Sequence, residues 1–383
     1  MSKAAIVGIG ELAPQRYSSG ETTLSMLAAA SIEAVGDAGL GPQDVDGLLV
    51  GPQVGETPQH VPATVAEYLG LRPTMANVVD LGGATGAGMA WRAAAAIQAG
   101  MCDTVLCVLG NINERGRTPR SPNRNPIREF DVPFGASGAN TSYAFLARRH
   151  IAEYGTTPEQ LALPVVAQRA NAQLNPKAVF HGTPLSVDDV LSSPMVIDPL
   201  RLLEIVMPCA GAAAFVVTSE ERARGLAHPV VTIAGAGEKI THRAMSQAPS
   251  LTSGPLKDAI ARAYRQSGVG PGDLDLLQLY DCYSIVIAIT LEDAGICPPG
   301  ESGRWMADHD LTWQGDLPLN THGGQLSFGQ ADLAGGISHI TEAVLQLRGQ
   351  AGDRQVRDVE NALVTGNGAT LSEATALVLR RGA

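Results

Sequence analysis

Short apolar runs alternate with longer stretches of helical spacing along this chain, and the alternation occurs twice. Ala5-Ile6-Val7-Gly8-Ile9-Gly10-Glu11 reads as a strand entering a glycine turn, and Thr232-Ile233-Ala234-Gly235-Ala236-Gly237-Glu238 repeats it. Leu24 to Ala38 and Leu256 to Ser267 carry apolar residues at helical spacing. Each stops at a glycine with proline soon after, Gly39-Leu40-Gly41-Pro42 in the first case and Gly268-Val269-Gly270-Pro271 in the second. A short apolar strand follows in both halves, Gly47 to Val50 and Leu276 to Leu279. The third unit pairs Gly82-Gly83-Ala84-Thr85-Gly86 and the alanine-rich helix through Gly100 with Gly323-Gly324 and the helix from Gly336 to Arg348. Asp103 to Gly110 and Gly211 to Ser219 close the first half as strands; Asn361 to Gly368 and Glu373 to Arg380 close the second.

Strands alternating with helices predict a mainly parallel α/β sheet in each half, and apolar helices such as Trp91 to Ala99 predict burial between two sheets. The result is a layered αβαβα arrangement of duplicated halves. The stretch from about Asn111 to Arg201, rich in Pro, Arg and Asn, has no counterpart in the second half and reads as an inserted loop domain. The halves then span residues 1–225, including the loop domain, and 226–383. Gly8-Ile9-Gly10-Glu11-Leu12-Ala13 formally fits a dinucleotide fingerprint. Pro14 stands where its helix should begin, and the glycine pair recurs at Gly235 and Gly237, so the repeat reads as a structural turn.

The length of 383 residues and a hydrophobic share of 45% permit a core of this size. A net charge of −11 with a pI near 5.2 lacks the basic footprint of a nucleic-acid binder. Met1-Ser2-Lys3 lacks the pattern of a secretory leader, and apolar runs such as Ala210 to Thr218 are too short to span a membrane, so a cytoplasmic compartment is expected. Five cysteines, Cys102, Cys107, Cys209, Cys282 and Cys297, form no Cys-x-x-Cys pair and are odd in number. This fits a reducing compartment and suggests no metal site.

Two segments carry a specific resemblance. Leu279-Tyr280-Asp281-Cys282-Tyr283-Ser284 resembles the His-Asp-Cys-Phe-Ser segment of the sterol-carrier-protein type thiolases. Asn320-Thr321-His322-Gly323-Gly324-Gln325-Leu326-Ser327-Phe328-Gly329-Gln330 resembles their Asn-x-x-Gly-Gly-x-x-x-x-Gly-His-Pro. With the duplication and the insertion, the resemblance to the thiolase superfamily covers essentially the whole chain and implies the thiolase fold. Thiolases attack with a cysteine at a helix N-terminus, where dipole and backbone amides stabilise thiolate and oxyanion. Gly83 occupies that position here, and the hydroxyl of nearby Thr85 has no evident base to activate it. Gln330 replaces the catalytic histidine; its amide can donate a hydrogen bond but cannot shuttle a proton. Leu363 to Gly368 lacks the family's second cysteine.

This pattern resembles the lipid-transfer-protein subgroup, some members of which are steroid side-chain aldolases. The resemblance implies a lyase that cleaves a β-hydroxyacyl-CoA by retro-aldol reaction without an acyl-enzyme. Coenzyme A would enter as the substrate's thioester and no cofactor would be tightly bound. Tyr280 would take the hydroxyl proton, although lowering a phenol from near 10 to neutrality requires about 4 kcal/mol; His322 or Arg128 would supply the cation. Backbone amides near Gly83 and Gly324 would hold the enolate, with Asp281, Tyr283, His322 and Gln330 as further polar contacts; Asp281 and His322 would join Tyr280 in the catalytic set, and Thr85 would lie on the substrate-binding side. The related aldolases carry a second tyrosine after the Gly-Gly-Gln-Leu segment, where this chain has Phe328 and Gln330.

Each residue also has a plainer reading. Tyr280 follows a strand as a packed aromatic, Asp281 caps a helix starting near Ser284, and His322 bonds backbone in a turn. Cys282 and Cys209 read as buried. Arg115, Arg117, Arg120, Arg124 and Arg128 form either a solvated loop or a grip on pyrophosphate or a partner. The competing functions are a non-catalytic acyl-CoA or lipid carrier, a scaffold subunit, and a cysteine-independent acyltransferase. The resemblance further implies a homodimer, with an OB-fold, zinc-ribbon protein as a possible partner in a heterotetramer.

Overall fold

The computed structural model describes residues 4–52, 60–116, 129, 131–136 and 138–382. The first half runs β1 (Ala4–Glu11), α1 (Thr23–Asp37), β2 (Gly47–Val50), α2 (Val61–Leu69), β3 (Met75–Val78), α3 (Thr85–Gln98) and β4 (Thr104–Asn111). The insertion contains α4 (Ala139–Tyr154), α5 (Pro158–Ala172), α6 (Val187–Ser192) and a ribbon of β5 (Met195–Ile197) and β6 (Leu200–Arg201). β7 (Gly211–Ser219) and the short α7 (Glu220–Ala223) lead to the second half. That half contains β8 (Val231–Ile240), α8 (Leu256–Ser267), β9 (Leu276–Gln278), α9 (Ser284–Asp293), α10 (Ser302–Asp308) and α11 (Gly324–Phe328). It ends in α12 (Gly335–Arg348), β10 (Asn361–Gly368) and β11 (Glu373–Arg381).

Apart from the β5–β6 ribbon, the strands form one continuous sheet in the order β3-β2-β4-β7-β1-β8-β11-β10-β9 in place of the two expected, and its two halves meet where Ala5 and Ile6 of β1 pair antiparallel with Thr232 and Val231 of β8. Read outward from that junction, β1-β7-β4-β2 and β8-β11-β10-β9 follow the same order, and β3 extends the first half beyond it. The mainly parallel expectation needs one correction. β2 pairs parallel with β3 and β4, and β9 with β10, but β7 and β11 run antiparallel to both their neighbours. Only four residues, 369–372, join β10 to β11, and so short a link can join only antiparallel strands.

The layers follow from the glycines of the opening strands. A Cβ on Gly8 or Gly10 would run into the carbonyl oxygens of Ala34 and Ala30 in α1, and one on Gly235 or Gly237 into those of Ala263 and Ala259 in α8. Bare backbone lets each outer helix lie directly on its sheet, which is the work of the Gly-x-Gly pairs. α3 and α12 lie between the halves, in contact with each other and with strands of both. Their apolar residues, among them Ala87, Ala90, Ile337 and Ile340, share one core with Phe215, Val364 and Leu377 of the sheets. A second core lies under α8, α9 and the inserted helices, so the insertion is helical and packs against the second half. No helix among the described residues is long and apolar enough to cross a membrane.

Candidate active site

Tyr280 lies two residues beyond β9, at the C-terminal end of a parallel strand, where open α/β sheets place their sites. Its backbone is clamped from both sides. The Tyr280 N–H donates to Thr365 Oγ1 of β10 at 3.0 Å, Leu279 N–H to Asn320 Oδ1 at 2.7 Å, and Asn320 Nδ2 returns a bond to Leu279 O at 2.8 Å. The ring is 4% exposed, and Oη accepts from Gln330 Nε2 at 2.9 Å. With that lone pair taken, the phenolic proton remains to be donated.

The phenol lies against the backbone of the elbow. Gly83 lies in the elbow that opens α3, and a Cβ built on it would fall onto Tyr280 Oη and Cζ and 2.5 Å from the Asn367 carbonyl. The phenol therefore fills the volume that a side chain at position 83 would need, and the two are mutually exclusive. Thr85 closes the elbow from inside: its hydroxyl donates to Gly82 O at 2.6 Å and accepts from Leu81 N at 3.0 Å. Wholly buried and so engaged, Thr85 holds the elbow's shape and has no hydroxyl left for substrate.

The electrostatics run against the expectation that Tyr280 is tuned downward. Burial pushes its phenol well above 10, and Cys282, Asp332 and Asp281 push it further, with the Gln330 hydrogen bond opposing them. Among the described residues no cation contributes. His322 is buried, and burial holds its imidazole well below 6.5; it packs edge-on against Phe328 and His339 at 5.3 and 5.0 Å. His339, at 6.1 Å between ring centroids, separates His322 from Tyr280. His322 is thus a neutral residue behind the site, and Arg128 lies outside the described residues. Tyr280 is a neutral donor in this arrangement.

Asp281 is also spent, though not as the cap of α9. Its Oδ1 accepts from Gln325 N at 2.8 Å and its Oδ2 from Leu326 N at 3.1 Å, so it ties down the start of α11. His339 Nε2 lies 3.2 Å from Oδ1. Gly324 faces this polar layer: a Cβ there would meet Asp281 Oδ2 and Gln168 Oε1. Tyr283 belongs to the wall. Its hydroxyl donates to Asn140 Oδ1 at 2.5 Å, and its ring stacks on Tyr143 at 4.0 Å. Tyr143 in turn donates to Ala369 O and accepts from Asn367 Nδ2, both at 2.9 Å. Cys282 lies beside that pair as a buried thiol pushed up to about 12 by burial, and the Cys209 thiol donates to Met207 O. Arg115 lies over the Tyr17 ring, 5.0 Å from its centre.

On the other side of α4 an open cavity of about 810 Å³ is lined by Phe134, Phe145, Met245 and Leu251, with Thr141 and Ser142 at its edge. Its size and apolar lining suit a bulky hydrocarbon group. Residues that the sequence reading passed over are therefore central: Asn367, Tyr143 and Asn140 of the wall, His339 behind Tyr280, and Asp332 two residues after Gln330. Asn367 sits in the segment from Leu363 to Gly368 that lacks the family's second cysteine; the others sit in no motif, and proximity in space marks them.

Comparison with known proteins fits this geometry. Residues 237–381 match the family described as thiolase C-terminal domain-like. The 17-hydroxy-3-oxo-4-pregnene-20-carboxyl-CoA lyase of Mycobacterium tuberculosis is 34% identical, over 95% of this chain and 96% of the relative. An acetyl-CoA acetyltransferase of Methanothermobacter thermautotrophicus is 32% identical over 93% and 94%. The solved structure of an Ltp2-ChsH2(DUF35) aldolase superimposes with a TM-score of 0.90 at 32% identity, over 99% of this chain and 98% of that one. A duplicated sheet around two buried helices agrees with these matches, and the chain belongs to the thiolase superfamily, on the sterol-carrier-protein side that includes the steroid side-chain-cleaving aldolases.

Proposed function

We propose that this protein is a carbon–carbon lyase that cleaves a β-hydroxyacyl-CoA with a bulky, steroid-type acyl group by retro-aldol reaction. One observation carries the reading: the Tyr280 phenol stands where a nucleophile's side chain would have to be. Acyl transfer through a covalent intermediate needs that side chain, whereas retro-aldol cleavage needs a base, a proton donor and support for an enolate. Of these the site supplies the donor in Tyr280, and the backbone at Gly83, just before α3, would lend the enolate its support. Gln330 fixes the phenol's direction in place of a residue that could shuttle protons. The apolar cavity beside α4 would take the hydrocarbon rings, while coenzyme A is carried in as the thioester and no resident cofactor is required.

A carrier or scaffold has no use for a phenol held in the nucleophile's place, which favours the enzyme over those readings. Five unpaired, buried cysteines suit a reducing, cytoplasmic setting. A homodimer, and a DUF35 partner of the kind named with the similar aldolase structure, belong to the same proposal. The test is turnover of a 17-hydroxy steroid β-hydroxyacyl-CoA by the protein with and without its co-purified partner. Release of the ketone and a shortened acyl-CoA is expected. Binding of the thioester without cleavage, partner present, would leave the carrier as the better account.

A further inference from the structure

Retro-aldol cleavage requires a base for the β-hydroxyl, and the groups expected in that role are occupied or neutral. Tyr280 keeps its proton, and both oxygens of Asp281 are bound to the backbone of α11. His322 and His339 lie buried behind the phenol. Asp332 is different. It starts the 3-10 turn Asp332–Ala334 two residues beyond Gln330, the residue that holds Tyr280, and it is only partly buried. Its charge reaches the Tyr280 phenol from across the elbow. Among the described residues no lysine or arginine pairs with it.

Its backbone marks it further. Asp332 has φ +47°, one of six described non-glycine residues in the left-handed region, which aspartate tolerates better than most side chains. Such strain persists where surrounding structure enforces it, and it collects at active sites. The turn packs against β4, β7, α3 and α12, with Ala331 against Gly211 at the start of β7 and Leu333 near Gly51 just beyond β2, so Asp332 stands at the strand ends of the first half, beside the helix that the elbow opens. The titratable groups that act on it or feel it are Asp80, from the segment between β3 and the elbow, and Tyr280; the four packed elements add no charge that shifts it.

We propose that Asp332 is the catalytic base of the lyase, taking the proton from the substrate's β-hydroxyl while Tyr280 donates a hydrogen bond across the site. This rests on the lyase reading and supplies the one part it lacks. The O–H bond breaks toward the Asp332 carboxylate, and the hydroxyl oxygen becomes the ketone. The Cα–Cβ electron pair moves into the thioester as an enolate held by Tyr280 and the elbow. Protonation at Cα releases the shortened acyl-CoA and returns Asp332 to its carboxylate, so no further reactant is required. Burial and the Asp80 charge push Asp332 up to about 6, which suits a base working near neutrality.

The test uses the wild-type protein with its partner beside Asp332→Asn, Asp332→Gly and Asp80→Asn. Glycine accepts the left-handed backbone, so Asp332→Gly removes the carboxylate while relieving strain and should melt no lower than wild type. Both Asp332 variants should lose about 10²- to 10⁴-fold in kcat with KM little changed. Wild-type kcat/KM should fall as pH drops through about 6. The residual activity of the Asp332 variants should lack that acid limb, and Asp80→Asn should move it to lower pH. Undiminished kcat, or an acid limb that survives in Asp332→Gly or stays fixed in Asp80→Asn, overturns the proposal and leaves the lyase standing. A wild-type complex that releases no ketone overturns the lyase reading itself.

Discussion

Glu11 and Glu238 occupy equivalent places in the opening strands of the two halves, and their surroundings are opposite. Glu238 accepts from Trp91 Nε1 at 2.9 Å and from Arg92 Nη1 and Nη2 at 2.6 and 3.0 Å. Glu11 is buried, and its Oε1 has no hydrogen-bond partner among the described residues. Burial pushes it up to about 7, against the pull of a Ser338 hydrogen bond and the Lys177 charge. The approaches to the two middle helices differ in the same way. α3 starts from Gly82 and Gly83, which offer backbone alone, whereas α12 starts from a segment carrying Gln330 and Asp332. Repetition thus preserves what strand–helix packing demands, the glycines laid against helix carbonyls. The polar side chains at strand ends answer to no such demand and are set separately in each half. The first half contributes an elbow, and the second contributes the groups that act over it.

The comparison is broken most severely by removing the second half's phenol. Tyr280→Phe should lower kcat/KM for cleavage by about 10²- to 10⁴-fold, while stability changes by only about 1 kcal/mol for the lost Gln330 bond. Steady-state kinetics and thermal melting of one preparation check both; a variant that melts much lower would show a structural role instead. Giving the first half a side chain should be nearly as damaging. Gly83→Cys is expected to lose about 3 kcal/mol or more in urea denaturation and to gain no thiolysis. Adding Tyr280→Gly should restore only part, because the Asn367 carbonyl still blocks the Cβ. Gly83→Cys with wild-type stability would refute the exclusion of one group by the other.

The paired glutamates offer a finer test. Glu11 holds its proton to about pH 7 when folded, against 4.5 for its ordinary value, so its contribution is full below about 4.5 and is lost as pH rises through 7. Glu11→Gln should therefore outlast wild type by about 2 to 3 kcal/mol at pH 8, with the advantage fading by pH 5. A parallel pH dependence in both proteins would contradict the burial argument. Thr85→Val should cost about 1 to 2 kcal/mol by leaving Gly82 O and Leu81 N short of a partner. Smallest is Glu238→Gln: its partly exposed pair with Arg92 is worth about 1 kcal/mol in urea denaturation.

The repeat, the helices stopping at Gly39 and Gly268 and the strands at 47–50 and 276–279 were legible because each depends on neighbours in sequence. The antiparallel course of β7 was not, since a hundred residues of insertion separate it from β4. Part of the insertion could have been read: Thr157-Pro158-Glu159-Gln160 is a capping box, and it opens α5. Tyr280, Gln330 and Gly83 were marked by motif. Their mutual geometry, and the engagement of Asp281 by α11, were not, because residues 83, 280 and 330 meet only after the halves have packed.

By itself the sequence determined a duplicated α/β chain, the loss of nucleophile and histidine, and the segments around which a site would form. Those follow from residue identity and short-range periodicity, which every copy of the chain carries before it folds. Tertiary structure alone decided that Tyr280 fills the space at Gly83, that His322 is a buried neutral ring and Asp281 a spent cap, and that Asp332 keeps a carboxylate without a cation beside the phenol. Proton affinity depends on which groups surround a side chain and how much water reaches it, and folding brings those groups from strands far apart in the chain.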